Sequence, residues 1–570
     1  MSAPMDQQAV KDQAAGAQSD AVLPDMDLIT FEVLRNALST VTEEMAVTLR
    51  RTAYSTNIKT RGDFSTCIID GDMRVIAQSG MPGHLVSIAT AVPQSIKEIG
   101  LETMGPGDMF VVNDPYRGSN HLNDLTVFAP IYADGALIAI VANMAHHVDV
   151  GGATPASLGV STEIYQEGLI ISPTRIVKGG EIVTDVIRLI LSNFRPKREV
   201  YGDLRAQMSS NTVAMQRIAE LIAQYTAPTL RKFFDEVIAY TDRWVESEIR
   251  RLPEGTFRAE SYRDDDGVTD TPVKLVAAIT FKDGRAILDI TGSSPQVAGP
   301  LNATRTMAQV TIMHLIRCIG DPRIPNNSGF LQRTSVVGPP GTVLTAQAPA
   351  AVVGAFETTF QLFSTLLKAM HPVMPDRIPA CSKSLVMCLG FAGTDPRSGE
   401  YYCYMETVAG GDGARPSHDG YDAVQSELQD TENAPIEEVE LGYPVVIRRY
   451  ELIRDSGGRG RFRGGLGIRR DFEFPYGEAS FSLLADGRKF APWGLMGGEP
   501  GRTARFQYIE GSEVRELPSK ITFRVPKGGM VRVETPGGGG FGDPALRDPG
   551  AIAADVVDGK VSAAAADAIE

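Results

Sequence analysis

Two apolar runs, Leu125 to Tyr132 and Ala136 to Ala145, flank the dipeptide Asp134-Gly135. Asp-Gly between such runs is the strongest short-range signal for a β-hairpin. The chain must therefore build an antiparallel ribbon here, and whatever stands at its open end is brought together. His121 and Asp124 precede the first run; His146 and His147 follow the second. A two-residue turn sets Ala133 opposite Ala136, which puts Asp124 opposite Ala145 and His146 opposite Asn123. In that register Asp124 shares a sheet face with His147. A three-residue turn or one β-bulge changes the parity and favours His146 instead.

Imidazole and carboxylate together suit a borderline divalent ion such as zinc, manganese or iron. Two His and one Asp leave coordination positions open, where water is acidified and a carbonyl polarised. The competing reading is a polar strand end whose His and Asp hydrogen-bond each other. The same segment carries Asp114 and Asp149. His84, His314, His371 and His418 stand alone and read as structural histidines.

Around the ribbon the patterns alternate between helix and sheet, which predicts an α+β fold: multi-lobed, with mixed antiparallel sheets, long N-terminal and central helices and a β-rich C-terminal lobe. Phe31, Leu34, Leu38, Val41, Met45 and Leu49 form one helical stripe, with Thr30 as the expected N-cap. Phe64 to Asp70 and Arg74 to Gln78 read as strands, and Asp283-Gly284 marks a further hairpin. Two central helices carry Val213 to Ile222 and Leu230 to Ile249, with Pro228 in the first turn of the second. The expected division is a disordered lead-in over 1–26 and a helix-plus-metal-site sheet domain over 27–255. A central α+β domain (256–440), a Gly-rich β lobe (441–547) and a tail (548–570) follow. The run "SGGRGRFRGG" (456–465), with Arg454, Arg459, Arg461 and Arg463 in or beside it, could cradle a phosphate through backbone N–H groups or simply make turns. It lacks P-loop spacing.

Charge and cysteine content narrow the function classes. With 55 basic and 70 acidic residues the net charge is −15, so nothing draws the chain to nucleic acid or to an anionic membrane. No run of about 18 apolar residues would span a bilayer. The cysteines Cys67, Cys318, Cys381, Cys388 and Cys403 are scattered and odd in number, as expected of reduced thiols in a cytoplasmic protein.

Six motifs, in order, carry a resemblance: "EEMAVTLRRTAYSTNIKTRGDFSTCIID" (43–70), "VVNDPYRGSNHLNDLTVFAPI" (111–131), "AHHVDVGG" (145–152), "IPNNSG" (324–329), "DSGGRGRFRGGLGIRR" (455–470) and "TPGGGGFGDP" (535–544). The chain resembles the B subunit of the ATP-dependent hydantoinase and 5-oxoprolinase family. Acetone and acetophenone carboxylase subunits and caprolactam hydrolases belong to the same family. The resemblance implies a divalent metal, zinc, manganese or similar, held by His121, Asp124 and His146, with His147 as the alternative ligand. Asp63, Asp114 and Asp149 are then the expected catalytic or supporting carboxylates. It also implies a hetero-oligomer with an ATP-binding A subunit that uses ATP and Mg²⁺ to phosphorylate a small-molecule substrate. The expected reaction is hydrolysis of a cyclic amide (hydantoin, oxoproline or lactam). The alternatives are ATP-dependent ketone carboxylation and a scaffold role with a closed metal site. One departure is Thr60, where the family often carries Glu.

Overall fold

The computed structural model describes residues 26–81, 83–429 and 431–567; apart from Met26, the expected lead-in over 1–26 lies outside them. The fold is mixed α+β with several antiparallel sheets. Helix α1 (Leu28–Thr52) buries the whole predicted stripe. Its cap is Asp27, not Thr30: the Asp27 carboxylate accepts the Thr30 N–H at 2.8 Å, and a negative group is better placed than a neutral one at a helix N-terminus.

The first sheet has seven strands: β1 (Phe64–Asp70), β2 (Val75–Gly80), β3 (Met109–Val112), β4 (Asp124–Ala133), β5 (Ala136–His146), β6 (Thr174–Lys178) and β7 (Glu181–Ile182). They pair antiparallel in the order β2-β1-β5-β4-β3-β6-β7. β1 is buried at every position and β5 from Ile138 onward, so both faces of the sheet are covered. Helix α2 (His84–Ile99) lies on the face carrying Ser65, whose hydroxyl is 3.0 Å from His84 Nδ1. α1 and helix α3 (Lys197–Tyr225) lie on the opposite face. There Thr66 donates to Thr42 O at 2.7 Å and Asn143 donates to Gln207 O at 2.9 Å. Helix α4 (Ala227–Arg250) follows with Pro228 in its first turn.

Strands Gly255–Arg263, Val273–Lys282, Arg285–Asp289 and Thr334–Val337 make a second sheet. Helix α5 (Ala355–Met370) packs against its first two strands. The C-terminal region is rich in β structure as expected, but one of its sheets draws in strands from before residue 440: Cys388–Thr394 and Tyr401–Thr407 join Ala479–Leu484 and Lys520–Val525. Among the described residues no helix is long and apolar enough to cross a membrane.

The Gly-rich runs are extended segments laid side by side. Gly538 N–H donates to Gly465 O at 2.9 Å, Gly458 N–H to Gly538 O at 2.8 Å, and Gly539 N–H to Cys381 O at 2.8 Å. A methyl group on Gly538 would sit 1.8 Å from the Asp412 carbonyl oxygen, so close packing, rather than turn geometry, demands glycine here. The neighbouring arginines are already engaged. Arg459 pairs with Glu499, and Arg463 with Asp422 and Asp555. Arg454 donates to Gly559 O, and Arg461 lies over the Phe462 ring. Packing therefore accounts for the run without a phosphate. The tail forms helices Pro549–Val557 and Ala563–Asp567, and Asp555 accepts Arg547 Nη2 at 2.6 Å.

A buried carboxyl ties two loops beside the first sheet. Glu167 Oε1 accepts the Ser161 hydroxyl at 2.7 Å and the Val352 and Val353 N–H groups at 2.8 and 2.9 Å. Burial pushes its pKa up to about 7.

This packing has measurable consequences. Gly538→Ala should abolish cooperative folding or shift the urea midpoint drastically, whereas Gly442→Ala, with nothing within 4 Å of the new methyl, should be neutral or slightly stabilising; equal midpoints would contradict the close packing. Because Glu167 is protonated more readily when folded than when unfolded, its stabilising share is complete below about pH 4.5 and drains away as pH rises to about 7. Melting temperature should therefore fall more steeply across that window in the wild type than in Glu167→Gln.

Candidate metal centre

The β4–β5 ladder begins at the expected two-residue turn, with Ala133 opposite Ala136 and Tyr132 opposite Leu137. It then slips: Ile131 pairs with Ala139, and the new register runs on to Asp124 opposite His146. Ile138 is the extra residue of a β-bulge. The regular register expected from the turn is thus corrected over most of the ribbon, and Asp124 stands beside His146, not Ala145.

Parity then sorts the two adjacent histidines. Asn143 and His147 face α3: Asn143 donates to Asn211 Oδ1 at 2.8 Å, and His147 Nε2 lies 2.9 Å from Gln207 Oε1. Met144 and His146 face the other way with Asp124. Asn120 Nδ2 is 3.7 Å from Met144 Sδ and donates to Asp124 Oδ2 at 2.9 Å.

His121 reaches the same point from the loop before β4. Its Nε2 is 3.5 Å from Asp124 Oδ2, and His146 Nδ1 is 3.3 Å from Asp124 Oδ1. The ligand-type atoms of the three residues all lie within 4.8 Å of one another. These separations exceed the usual range for a hydrogen bond. Two donors about 2.1 Å from one ion at a tetrahedral angle stand about 3.4 Å apart, which matches the two His–Asp separations; the full set, spanning up to 4.8 Å, would draw in slightly around an ion. All three side chains are buried, yet His121 Nδ1, His146 Nε2 and Asp124 Oδ1 find no hydrogen-bond partner among the described residues. The three residues are therefore not a self-satisfied polar cluster, and two imidazoles with one carboxylate are donor types that suit a divalent ion.

Electrostatics prepare the same set. Burial pushes the His121 imidazole down to about 4, which leaves a neutral ring with a free lone pair at pH 7. Burial alone would raise the Asp124 carboxyl, but His121 and His146 beside it hold it far below the usual carboxylate range. Ser87 in α2 donates to Asn120 Oδ1, so the Asn120 amide is itself fixed while it holds Asp124 Oδ2. Asn113 anchors the loop by donating to Leu122 O at 2.8 Å and Leu169 O at 2.9 Å.

The other expected carboxylates part company. Asp63 lines the same cavity as His121 and His146, and its carbonyl accepts the His146 N–H at 3.1 Å. Asp114 caps a turn by accepting the Tyr116 N–H at 2.9 Å and pairs with Arg117. Asp149 accepts the N–H groups of Gly151 and Ala156, each at 2.9 Å, and the Arg195 guanidinium at 2.8 Å. Neither is among the side chains lining the cavity. Asp149 instead folds the loop that brings Ala156 and Leu158 to its wall. Thr60 turns away and donates to Glu438 Oε1 at 2.7 Å.

Sequence spacing missed several neighbours. His84, grouped with the structural histidines, is buried against Ser65 and is among the groups that lower the Asp124 carboxyl. The Phe356 ring stands edge-on to His121 at 5.1 Å, and Glu357, Thr407 and Gln429 complete the polar lining. These come from α5 and from strands and loops far along the chain, with no local pattern to announce them. The cavity is about 40 Å³, enough for a few waters.

Comparison with known proteins identifies the family and the fold. The Hydantoinase B/oxoprolinase family pattern matches residues 27–544. The chain is 31% identical to the putative D-/L-hydantoinase B subunit of Pseudomonas sp. (strain NS671), over 95% of this chain and 94% of that protein. It is also 31% identical to the 5-oxoprolinase of Dictyostelium discoideum, covering 92% of this chain but 41% of that longer protein. The crystal structure of the ATP-dependent caprolactamase from Pseudomonas jessenii superposes with a TM-score of 0.89 at 28% identity, over 95% of this chain and 96% of that one. Motif order, fold and the span of these matches together make the chain a member of the hydantoinase B/oxoprolinase family.

Proposed function

We propose that the chain is the metal-dependent B subunit of a heteromeric, ATP-dependent cyclic amide hydrolase. In this reading it opens hydantoin, oxoproline or lactam rings whose carbonyl a partner A subunit has activated by phosphorylation. The observation that carries it is the convergence of three buried ligand-type side chains, each with an unused polar atom, at a cavity also lined by Asp63. The hydantoinase and caprolactamase relatives support the reaction class and the two-subunit organisation.

His121, Asp124 and His146 would hold the ion. A divalent ion with open positions acidifies water and polarises a carbonyl. The chain's own groups do the rest. Asn120 keeps Asp124 Oδ2 occupied and leaves Oδ1 for the ion, an arrangement typical of residues that orient metal ligands. The neutral His121 ring needs no deprotonation before binding. Asp63 accepts a proton from the attacking water at its carboxylate. Phe356, Phe360 and Leu158 exclude bulk water, which protects a labile phosphorylated intermediate from stray hydrolysis.

Metal analysis of the purified chain, with ring opening assayed in the presence of the A subunit and ATP, tests the proposal. His121→Ala and His146→Ala should lose bound metal and ring opening, while His147→Gln keeps the metal. Asn120→Ala should weaken metal affinity roughly 10–100-fold. Full turnover by metal-free protein would reject the reading, and stoichiometric bicarbonate uptake with a ketone would replace it with carboxylation.

A further inference from the structure

Beyond the metal-binding trio, the described residues of the cavity wall offer no positive charge. Leu158, Val353, Phe360, Val386, Met405 and Leu484 give it an apolar surface. Its carboxyl groups beyond the trio are Asp63 and Glu357; the buried Cys388 thiol, Asn123, Thr407 and Gln429 are neutral. Among the described residues no lysine or arginine lines it.

The cations behind the wall are already engaged. Arg61 spends its guanidinium on Glu432 O at 3.3 Å, Met405 O at 3.3 Å and the Thr407 hydroxyl. Arg263 is bound by Glu357 Oε2 at 3.3 Å and Asp486 Oδ2 at 2.5 Å. Lys383 donates to Val408 O and, at 3.0 Å, to Gln425 Oε1. None of the three reaches the cavity surface.

We propose that this cavity selects an uncharged, compact ring and discriminates against a ring carrying a carboxylate. The inference rests on the ring-opening reading above and narrows its substrate class. A carboxylate entering such a chamber loses its hydration and meets Asp63 without gaining a free cation, because Arg263 and Glu357 already neutralise each other. The metal cannot serve it, because the reacting carbonyl must occupy that end. Ring methylenes, by contrast, gain from contact with the apolar wall. Within the family, 5-oxoproline is the disfavoured kind of substrate, and the corresponding lactam without its carboxylate is the favoured kind.

The test compares 2-pyrrolidinone with 5-oxoproline, which differ only by that carboxylate, using the complex of this chain with its A subunit and ATP. The wild type should show kcat/KM at least tenfold higher for pyrrolidinone. The A subunit has selectivity of its own, so the decisive measurement is the change in that ratio when only this chain is altered. Gln429 is half-buried and its Oε1 lacks a partner; Gln429→Lys places a cation in the wall and should move the ratio at least tenfold toward oxoproline. Retained pyrrolidinone turnover shows that the variant folds, and Leu158→Lys replaces it if that turnover is lost. A wild-type preference for oxoproline, or a ratio unmoved by the added cation, overturns the inference while leaving ring opening intact. If the complex opens neither ring but carboxylates ketones, the ring-opening reading fails, and the same ratio measured on acetophenone and 4-acetylbenzoate decides the charge question.

Discussion

Between the Asp134-Gly135 turn and the open end of the central hairpin, the strand ladder slips by one residue at Ile138. Side chains alternate across a sheet with a period of two, so this slip moves every residue beyond it to the face opposite the one a regular ladder would give. It sets Asp124 beside His146 and toward α2, while His147 turns into α3 and is satisfied by Gln207. Without the bulge the carboxylate would point at a helix already occupied by the Asn143, Asn211 and Gln207 hydrogen bonds. The grouping of His121, Asp124 and His146 depends on that one inserted residue.

Such a grouping is costly to build. An unpaired buried polar atom destabilises a fold by about 1–3 kcal/mol, and this site holds three. The surroundings keep the cost bounded. Burial leaves His121 neutral, so only the Asp124 carboxylate brings a charge that needs support, and the Asn120 amide, itself fixed by Ser87, satisfies its second oxygen. What remains open is one polar atom on each of the three residues, His121 Nδ1, His146 Nε2 and Asp124 Oδ1, so the cluster is not satisfied by the protein alone.

The wall facing that cluster depends on the Gly-rich segments. Gly539 is bonded to Cys381 O, and Gly411, which donates to Pro536 O, accepts the Lys383 N–H at 2.8 Å. These contacts hold the stretch leading to Val386 and Cys388 against the cavity. The backbone approaches leave no room for a Cβ, so runs that look like flexible punctuation are among the most tightly constrained parts of the molecule. The site is thus closed by residues from the first sheet, from α5 and from the C-terminal sheets together.

Much of this is legible in the chain's local patterns. The α1 stripe, the hairpins at Asp134-Gly135 and Asp283-Gly284, Pro228 in its first turn and the crowding of His and Asp at the ribbon's open end all follow from local spacing, because periodicity and turn chemistry act over a few residues. The Asp27 cap, the spending of Asp114 and Asp149 on turns and an arginine, and the approach of His84, Glu357, Thr407 and Gln429 carry no such signature. The same holds for the direction of the two adjacent histidines. Neighbouring sequence determined that imidazoles and a carboxylate would meet at the end of one hairpin. Only the packed molecule decided which of them face one another and what encloses them, because a ladder slip and a shared wall are settled by contacts between segments that lie far apart along the chain.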